Sequence, residues 1–445
     1  MLNTRTGLRL ALAVAALGLL AGPARTADDE AALRKKVLAL NLITGDATVR
    51  GEILTLLDDP AGTKKLLPVA AKMAKEKPSP LKYNAAFILA RAGERLKDLD
   101  DTVALYRVCI DYANKVKSPT RLFGAYAGII ATYYVANKYD DAMKACQEFL
   151  EIPEEEVAGE TDDETPKYNA TLGRGKELIR RELVQILSRQ GKYDEAKKIV
   201  DRLLDKDKDD MEALELRALV QRESGKYDDA AKTYQGMIEK INDGVERIKK
   251  IPGADPTKKD ALLKQFAAEA RRYRYAQSGL YMDANQVDKA AGVLQALLKE
   301  EPDNPSYNND LGYIWADHDL HLAESEKLIR KAIEADKKEQ QQDDPALKPD
   351  KIKANPAYLD SLGWVLFKQK KYKEALPPLQ EAVKDQEGQH IEIFDHLGDV
   401  HMALGDKAAA TDAWKKGLEY VGTSKREQER KVIVEKKLKE QEKKK

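Results

Sequence analysis

Along most of this chain apolar residues recur at intervals of three and four with charged positions between them, and hardly anywhere do they alternate singly. That period puts them on one stripe of a helix and predicts an all-α chain. The helical stretches come in pairs joined by short punctuated segments. Three of these are near copies: Asn137-Lys138-Tyr139-Asp140-Asp141-Ala142, Gly191-Lys192-Tyr193-Asp194-Glu195-Ala196 and Gly225-Lys226-Tyr227-Asp228-Asp229-Ala230. The Gly or Asn supplies a left-handed turn at the end of one helix. The acidic pair falls in the first turn of the next, where the helix dipole favours negative charge, and the Ala lets the two helices approach. Gly191 and Gly225 lie 34 residues apart, and that period predicts stacked helical hairpins.

Further along, a Leu-Gly pair recurs in Asn309-Asp310-Leu311-Gly312-Tyr313, Asp360-Ser361-Leu362-Gly363-Trp364 and Asp395-His396-Leu397-Gly398-Asp399. Gly inside a helix costs about 1 kcal/mol relative to Ala, so three at one register predict helix surfaces in contact. These motifs resemble the tetratricopeptide repeat (TPR) family, from roughly residue 79 to 424, in units beginning near residues 79, 123, 177, 211, 271, 305, 356 and 391. The resemblance implies a right-handed superhelical solenoid of helix-turn-helix repeats whose work is holding other proteins.

The expected layout is a signal peptide at 1–27, a helical cap at 28–78 read as one hairpin, and divergent repeats at 79–156. Repeats follow at 177–244, then a helical linker at 245–270, repeats at 271–424 and a charged helical tail at 425–445. Residues 157–176 and 338–355 read as exposed or disordered linkers, since both are polar and rich in charge. The tail carries a thin apolar stripe, Val432, Ile433, Val434 and Leu438, and reads as a solvating cap.

Composition narrows the picture. Lys and Arg number 76 and so do Asp and Glu, so the formal charge is zero and no global field favours nucleic acid or a membrane surface. Arg5 and Arg9, an apolar run from Leu10 to Ala21 and small residues up to Ala27 fit an export signal, cleaved after Ala24 or Ala27. The run is shorter than the roughly 20 residues a membrane span needs, which predicts a protein of the periplasm or cell envelope. Cys109 and Cys146 are too few for a disulfide framework and read as packed thiols, with a bridge left open.

Chemistry finds little support. Asp317-His318-Asp319-Leu320-His321 falls on a turn without a second ligand pair, and Gly173-Arg174-Gly175-Lys176 lacks the earlier Gly and following Ser or Thr of a phosphate loop. It reads as a flexible approach to the next helix. No metal, cofactor or catalytic residue is expected. His396 reads as a groove or packing residue.

The resemblance implies that the second, fifth, ninth and twelfth positions of each first helix line a groove. That assigns Arg272, Tyr275, Asn309, Tyr313, Asp360, Trp364, Phe367, Asp395, Asp399 and Met402 as partner-binding residues, with Tyr313 and Trp364 open to a second role packing between helices. Some members grip a terminal carboxylate with Lys, Asn and Arg, but the matching places here hold Asp310, Asp360 and Asp395. A neutral or basic protein segment is therefore the expected ligand. The function expected is a non-catalytic scaffold or adaptor of the envelope. The alternatives are an envelope factor handling polysaccharide or another polymer, and a non-catalytic subunit of an envelope enzyme complex.

Overall fold

The computed structural model describes residues 27–156, 164–252, 255–348, 351–422 and 424–443, and every regular element among them is a helix. The export signal expected at 1–27 lies outside the described residues except for Ala27. The chain divides into two compact units between Thr233 and Tyr234.

In the first unit, α1 (Ala27–Ala39), α2 (Asp46–Asp58) and α3 (Pro60–Ala74) precede the repeats. The hairpins are then α4 (Tyr83–Arg95) with α5 (Asp100–Lys115), α6 (Pro119–Val135) with α7 (Tyr139–Leu150), and α8 (Glu164–Arg189) with α9 (Tyr193–Lys206). The next, α10 (Met211–Glu223) with α11 (Tyr227–Lys249), ends beyond the boundary. The second unit holds α12 (Pro256–Asp283) with α13 (Val287–Glu300), α14 (Pro305–Asp317) with α15 (Leu322–Asp343), α16 (Pro356–Lys368) with α17 (Tyr372–Ala382), and α18 (Ile391–Ala403) with α19 (Lys407–Leu418). A further helix, α20 (Lys425–Glu442), follows.

Each hairpin turns on a left-handed residue, Lys97, Asn137, Gly191, Gly225, Asn285, Asp319, Lys370 and Gly405 in order, with His321 a second one between α14 and α15. The next amide reaches back five residues, as from Lys192 to the Leu187 carbonyl and from Lys371 to that of Leu366, both at 2.9 Å, which satisfies carbonyls the helix end leaves open. Sequence marks this turn where Gly or Asn stands. It is silent at Lys97 and Lys370, where an ordinary side chain bears a cost of roughly 1–2 kcal/mol because the packed helices on either side fix the turn. The Leu-Gly register packs as expected. A Cβ on Gly312 would come within 2.7 Å of Ile329, one on Gly363 would collide with Leu379, and one on Gly398 with the Trp414 indole.

Ala196 and Ala230, the small residues of the two best-matched turns, are fully buried. Enlarging either to Leu is expected to cost about 1–3 kcal/mol by overpacking. Since repeats stabilise mainly their neighbours, hydrogen exchange should quicken in the adjacent hairpins and leave α18 unaffected. Unaltered exchange throughout would show that these positions have room to spare.

Four expectations change. The amino-terminal cap is three helices, not one hairpin: Asp59, between α2 and α3, accepts a hydrogen bond from the Gly62 amide at 2.9 Å and Pro60 opens α3. Much of the linker read at 157–176 is helical, because α8 begins at Glu164 and runs through Gly173 and Gly175. Gly175 faces the Phe149 ring, where a Cβ would approach to 3.0 Å. The segment 173–176 is therefore part of the helix and not an approach to it, its charged sequence hiding a contact made only in three dimensions. At 338–355 the helix α15 continues to Asp343, and Gln340 ties it to the Lys353 carbonyl at 2.8 Å. The two cysteines are free and buried, as the packed-thiol reading expects, and burial raises both thiols, Cys146 to about 12, so neither is a reactive thiolate.

Candidate functional site

The Leu-Gly face of each first helix is taken up by the second helix of its own hairpin. The opposite stripe is therefore free to meet the first helices of neighbouring repeats. In the second unit this stripe is polar and largely buried, and it pairs one helix with the next. Tyr275 of α12 donates its hydroxyl to Asp310 of α14 at 2.5 Å, and Asp360 of α16 meets His396 Nδ1 of α18 at 2.8 Å. Asp395 of α18 meets Arg430 of α20 at 3.1 Å. In each case the fifth position of one repeat, counted for α12 from residue 271, contacts the sixth of the next.

The last of these pairings reveals what α20 is. It begins 34 residues after α18, so it stands where the first helix of a further repeat would stand. Its cations Arg426, Arg430 and Lys437 face the carboxylates Glu392, Asp395 and Asp399 of α18. Arg426 lies 2.6 Å and Arg430 3.0 Å from Glu392, and Lys437 lies 2.6 Å from Asp395 and 2.7 Å from Asp399. From α14, two repeats back, the Tyr313 hydroxyl donates to the same Glu392 oxygen at 2.8 Å. The amino-terminal end of α20 is held by a capping box of Ser424 and Glu427, with Glu427 also 3.1 Å from His390.

Behind this row lies an aromatic stack. The Trp364 ring lies between His396, 4.0 Å away and nearly parallel, and Phe367 at 5.1 Å. The Trp364 indole N–H donates to Asp317 at 3.0 Å, and Lys368 donates to the Asp317 carbonyl and the Asp319 carboxylate, each at 3.0 Å. The Trp364 ring is buried by its own chain.

Of the residues expected to form a binding face, the fold joins Tyr313, Asp360, Trp364, Phe367, Asp395 and Asp399 into one network, and Met402 packs at its edge beside Trp414. Three others make separate local bonds. Arg272 folds onto Tyr273, donating to its hydroxyl at 2.8 Å; Tyr275 is taken by Asp310; and Asn309 donates to Asp310 at 3.1 Å. Glu392, the residue at the centre of the network, was not among those expected. The position rule contained the signal, since Glu392 is the second residue of α18. Arg426, Arg430 and Lys437 also left one, a spacing of four and then seven that puts them on a single helix face.

The electrostatics follow from the contacts. Burial alone would raise the Glu392 carboxyl, but the charges of Arg426, His396 and Arg430 and the Tyr313 hydrogen bond hold it at about 2. The hydrogen bond from His390, aided by Ser424, holds Glu427 at about 2 against burial. Asp399 moves the other way, raised by burial and by Asp395 despite Lys437. His396 is pulled down by burial, yet Asp360 and Glu392 outweigh that and leave it raised.

Glu392 and Glu427 are depressed in the folded chain. Their stabilisation is therefore complete above the unfolded value near 4.5 and is lost as pH falls from there toward about 2. Asp399 contributes with the opposite sign, and His396 adds stability that is lost as pH rises through its raised value. Acidification through the carboxylate window is expected to release α20 first, read as faster amide exchange in α20 before α4 to α10. Uniform loss of protection would count against it.

Among the described residues no group of three or more His, Cys, Asp or Glu is placed to share a metal, and no helix is long and apolar enough to cross a membrane. His318 is turned to the Ile314 carbonyl at 2.9 Å and His321 to the Trp315 ring at 4.8 Å.

Residues 181–244 and 275–339 match one tetratricopeptide-repeat family model, and residues 357–387 match a second. A TPR repeat-containing protein of Pseudomonas aeruginosa is 32% identical over 137 residues, 31% of this chain. The match spans only 20% of that relative's length. Among solved structures, a tetratricopeptide repeat protein from Parabacteroides merdae aligns over 70% of this chain and 98% of its own, with 13% identity and a TM-score of 0.41. Yeast Tom70 aligns over 92% of this chain and 97% of its own, with 13% identity and a TM-score of 0.30.

Proposed function

We infer that this tetratricopeptide-repeat chain is a non-catalytic scaffold of the cell envelope, holding segments of partner proteins against the first helices of its repeats. The observation that carries the reading is the α18 stripe. There a row of carboxylates on a first helix grips a helical segment through charge-assisted hydrogen bonds, the chemistry by which such a face would hold a partner. The envelope location is supported by the amino-terminal sequence, with Arg5 and Arg9, the apolar run from Leu10 to Ala21 and the small residues before Asp28. The repeat positions Arg272 and Phe367 belong to the proposed binding surface, since Arg272 is exposed and Phe367 only half-buried.

Photo-crosslinkers placed at Arg272 and Phe367 on first helices, and at the exposed Lys197 and Lys327 on second helices, test the reading in intact cells of the native host. Capture of defined proteins from the first pair and not the second is the expected result. Equal capture from both pairs, or none, would remove the first helices as the binding surface. Sequencing the mature amino terminus tests export, with Asp28 or Arg25 expected first and an intact Met1 counting against it.

A further inference from the structure

α20 is attached differently from the other helices of its unit. α18 is seated by apolar residues, Ile393, Phe394, Leu397 and Val400, all buried. Of the apolar stripe on α20, only Val434 is fully buried, against Ile391, Ala410 and Trp414, with Leu438 partly covered. Val432 remains 66% and Ile433 46% exposed. What holds the helix is the match of Arg426, Arg430 and Lys437 to Glu392, Asp395 and Asp399, and Arg426 keeps 56% of its side chain in water. Salt reaches these pairs only from the side of the cations, Arg426 above all, while the buried carboxylates demand a counter-charge that an equivalent cation could supply.

We propose that the stripe Glu392, Asp395 and Asp399 is a recognition site for a basic amphipathic helix of a partner protein, and that α20 is its resident occupant, displaced when such a helix binds. This rests on the scaffold reading above and gives it a partner class and a threshold. The geometry of α20 defines the ligand. It presents cations at positions i, i+4 and i+11, with aliphatic residues at i+8 and i+12 where Val434 and Leu438 stand. Acidic or neutral helices are excluded, because the buried carboxylates of Glu392 and Asp395 would be left without a counter-charge. The short tether from Glu419 to Ser424 keeps α20 at an effective concentration on the order of millimolar. A partner must outcompete that, so weak and incidental basic segments are turned away.

The probe is a labelled synthetic peptide of residues 424–443, added to the full-length chain and to a full-length variant whose own helix carries Arg430→Ser and Lys437→Ser. Freed from its competitor, the variant is expected to bind the peptide at least about tenfold more tightly than the wild-type chain. A peptide carrying the same two substitutions should bind neither. Binding no tighter to the folded variant than to wild type overturns the proposal. So does a concentration-dependent dimer of the wild-type chain that the two substitutions abolish, since the site would then belong to a second copy. Should the variant not fold, amide exchange on the wild-type chain decides: α20 is expected to lose protection on raising the salt while α18 keeps it, and equal protection of the two would overturn displacement. The crosslinking result at Arg272 and Phe367 is independent of these outcomes, so the scaffold reading can stand while this site falls.

Discussion

Replacing Glu392 by Ala is expected to destabilise the carboxy-terminal unit by about 3–5 kcal/mol, the range for removing one partner of a buried ion pair. Its carboxylate is nearly buried and serves three donors, Arg426, Arg430 and the Tyr313 hydroxyl. Arg426 is half in water and can be rehydrated, but Arg430, only 20% exposed, keeps Asp395 alone, and Tyr313 has no comparable acceptor. The loss should appear in chemical denaturation as early melting of the last repeats, with the first unit unfolding as before. Glu392→Gln, which keeps an acceptor for Tyr313 and gives up the charge, should fall between the two. If Glu392→Ala melts like the wild type, Glu392 is ornamental and α20 is held by its apolar contacts and the pairs to Asp395 and Asp399.

The second large effect is expected at Trp364. Sequence places this ring on the partner-binding surface, with packing between helices as the open alternative; the fold buries all but 8% of it, stacked on His396 and donating to Asp317. Trp364→Ala should therefore cost about 3–5 kcal/mol as a cavity-forming core substitution, and it should leave His396, whose Nε2 is already buried without a partner, facing the void. Trp364→Phe should recover most of the loss, because the stack is retained and only the bond to Asp317 disappears. Thermal unfolding of the two variants separates the roles. Wild-type stability in Trp364→Ala, together with lost partner binding, would return the ring to the recognition surface.

These two residues illustrate how the site was legible. The position rule selected Asp360, Asp395, Asp399, Tyr313 and Trp364, and the fold gathers all five into one network. It could not say that this network would be closed by the chain itself. Each residue's face is a local property, fixed by a 3.6-residue period. Whether that face meets water, a partner or another helix depends on an element tens of residues away. The same limit explains Gly175, whose neighbour Phe149 lies on another hairpin across a linker read as exposed.

By itself the sequence determined the all-helical class, the hairpin units from residue 79 onward, the Gly and Asn turns and the tight Leu-Gly contacts. All of these follow from short-range periodicity and from backbone preferences that each residue carries with it. Only the tertiary structure decided that Lys97 and Lys370 take left-handed turns, that 164–176 is helix, and that α20 stands in the place of a further first helix with its cations on Glu392, Asp395 and Asp399. The physical reason is common to all three. Each is a conformation with a local cost or no local preference, selected because packing or charge pairing with a distant segment outweighs it.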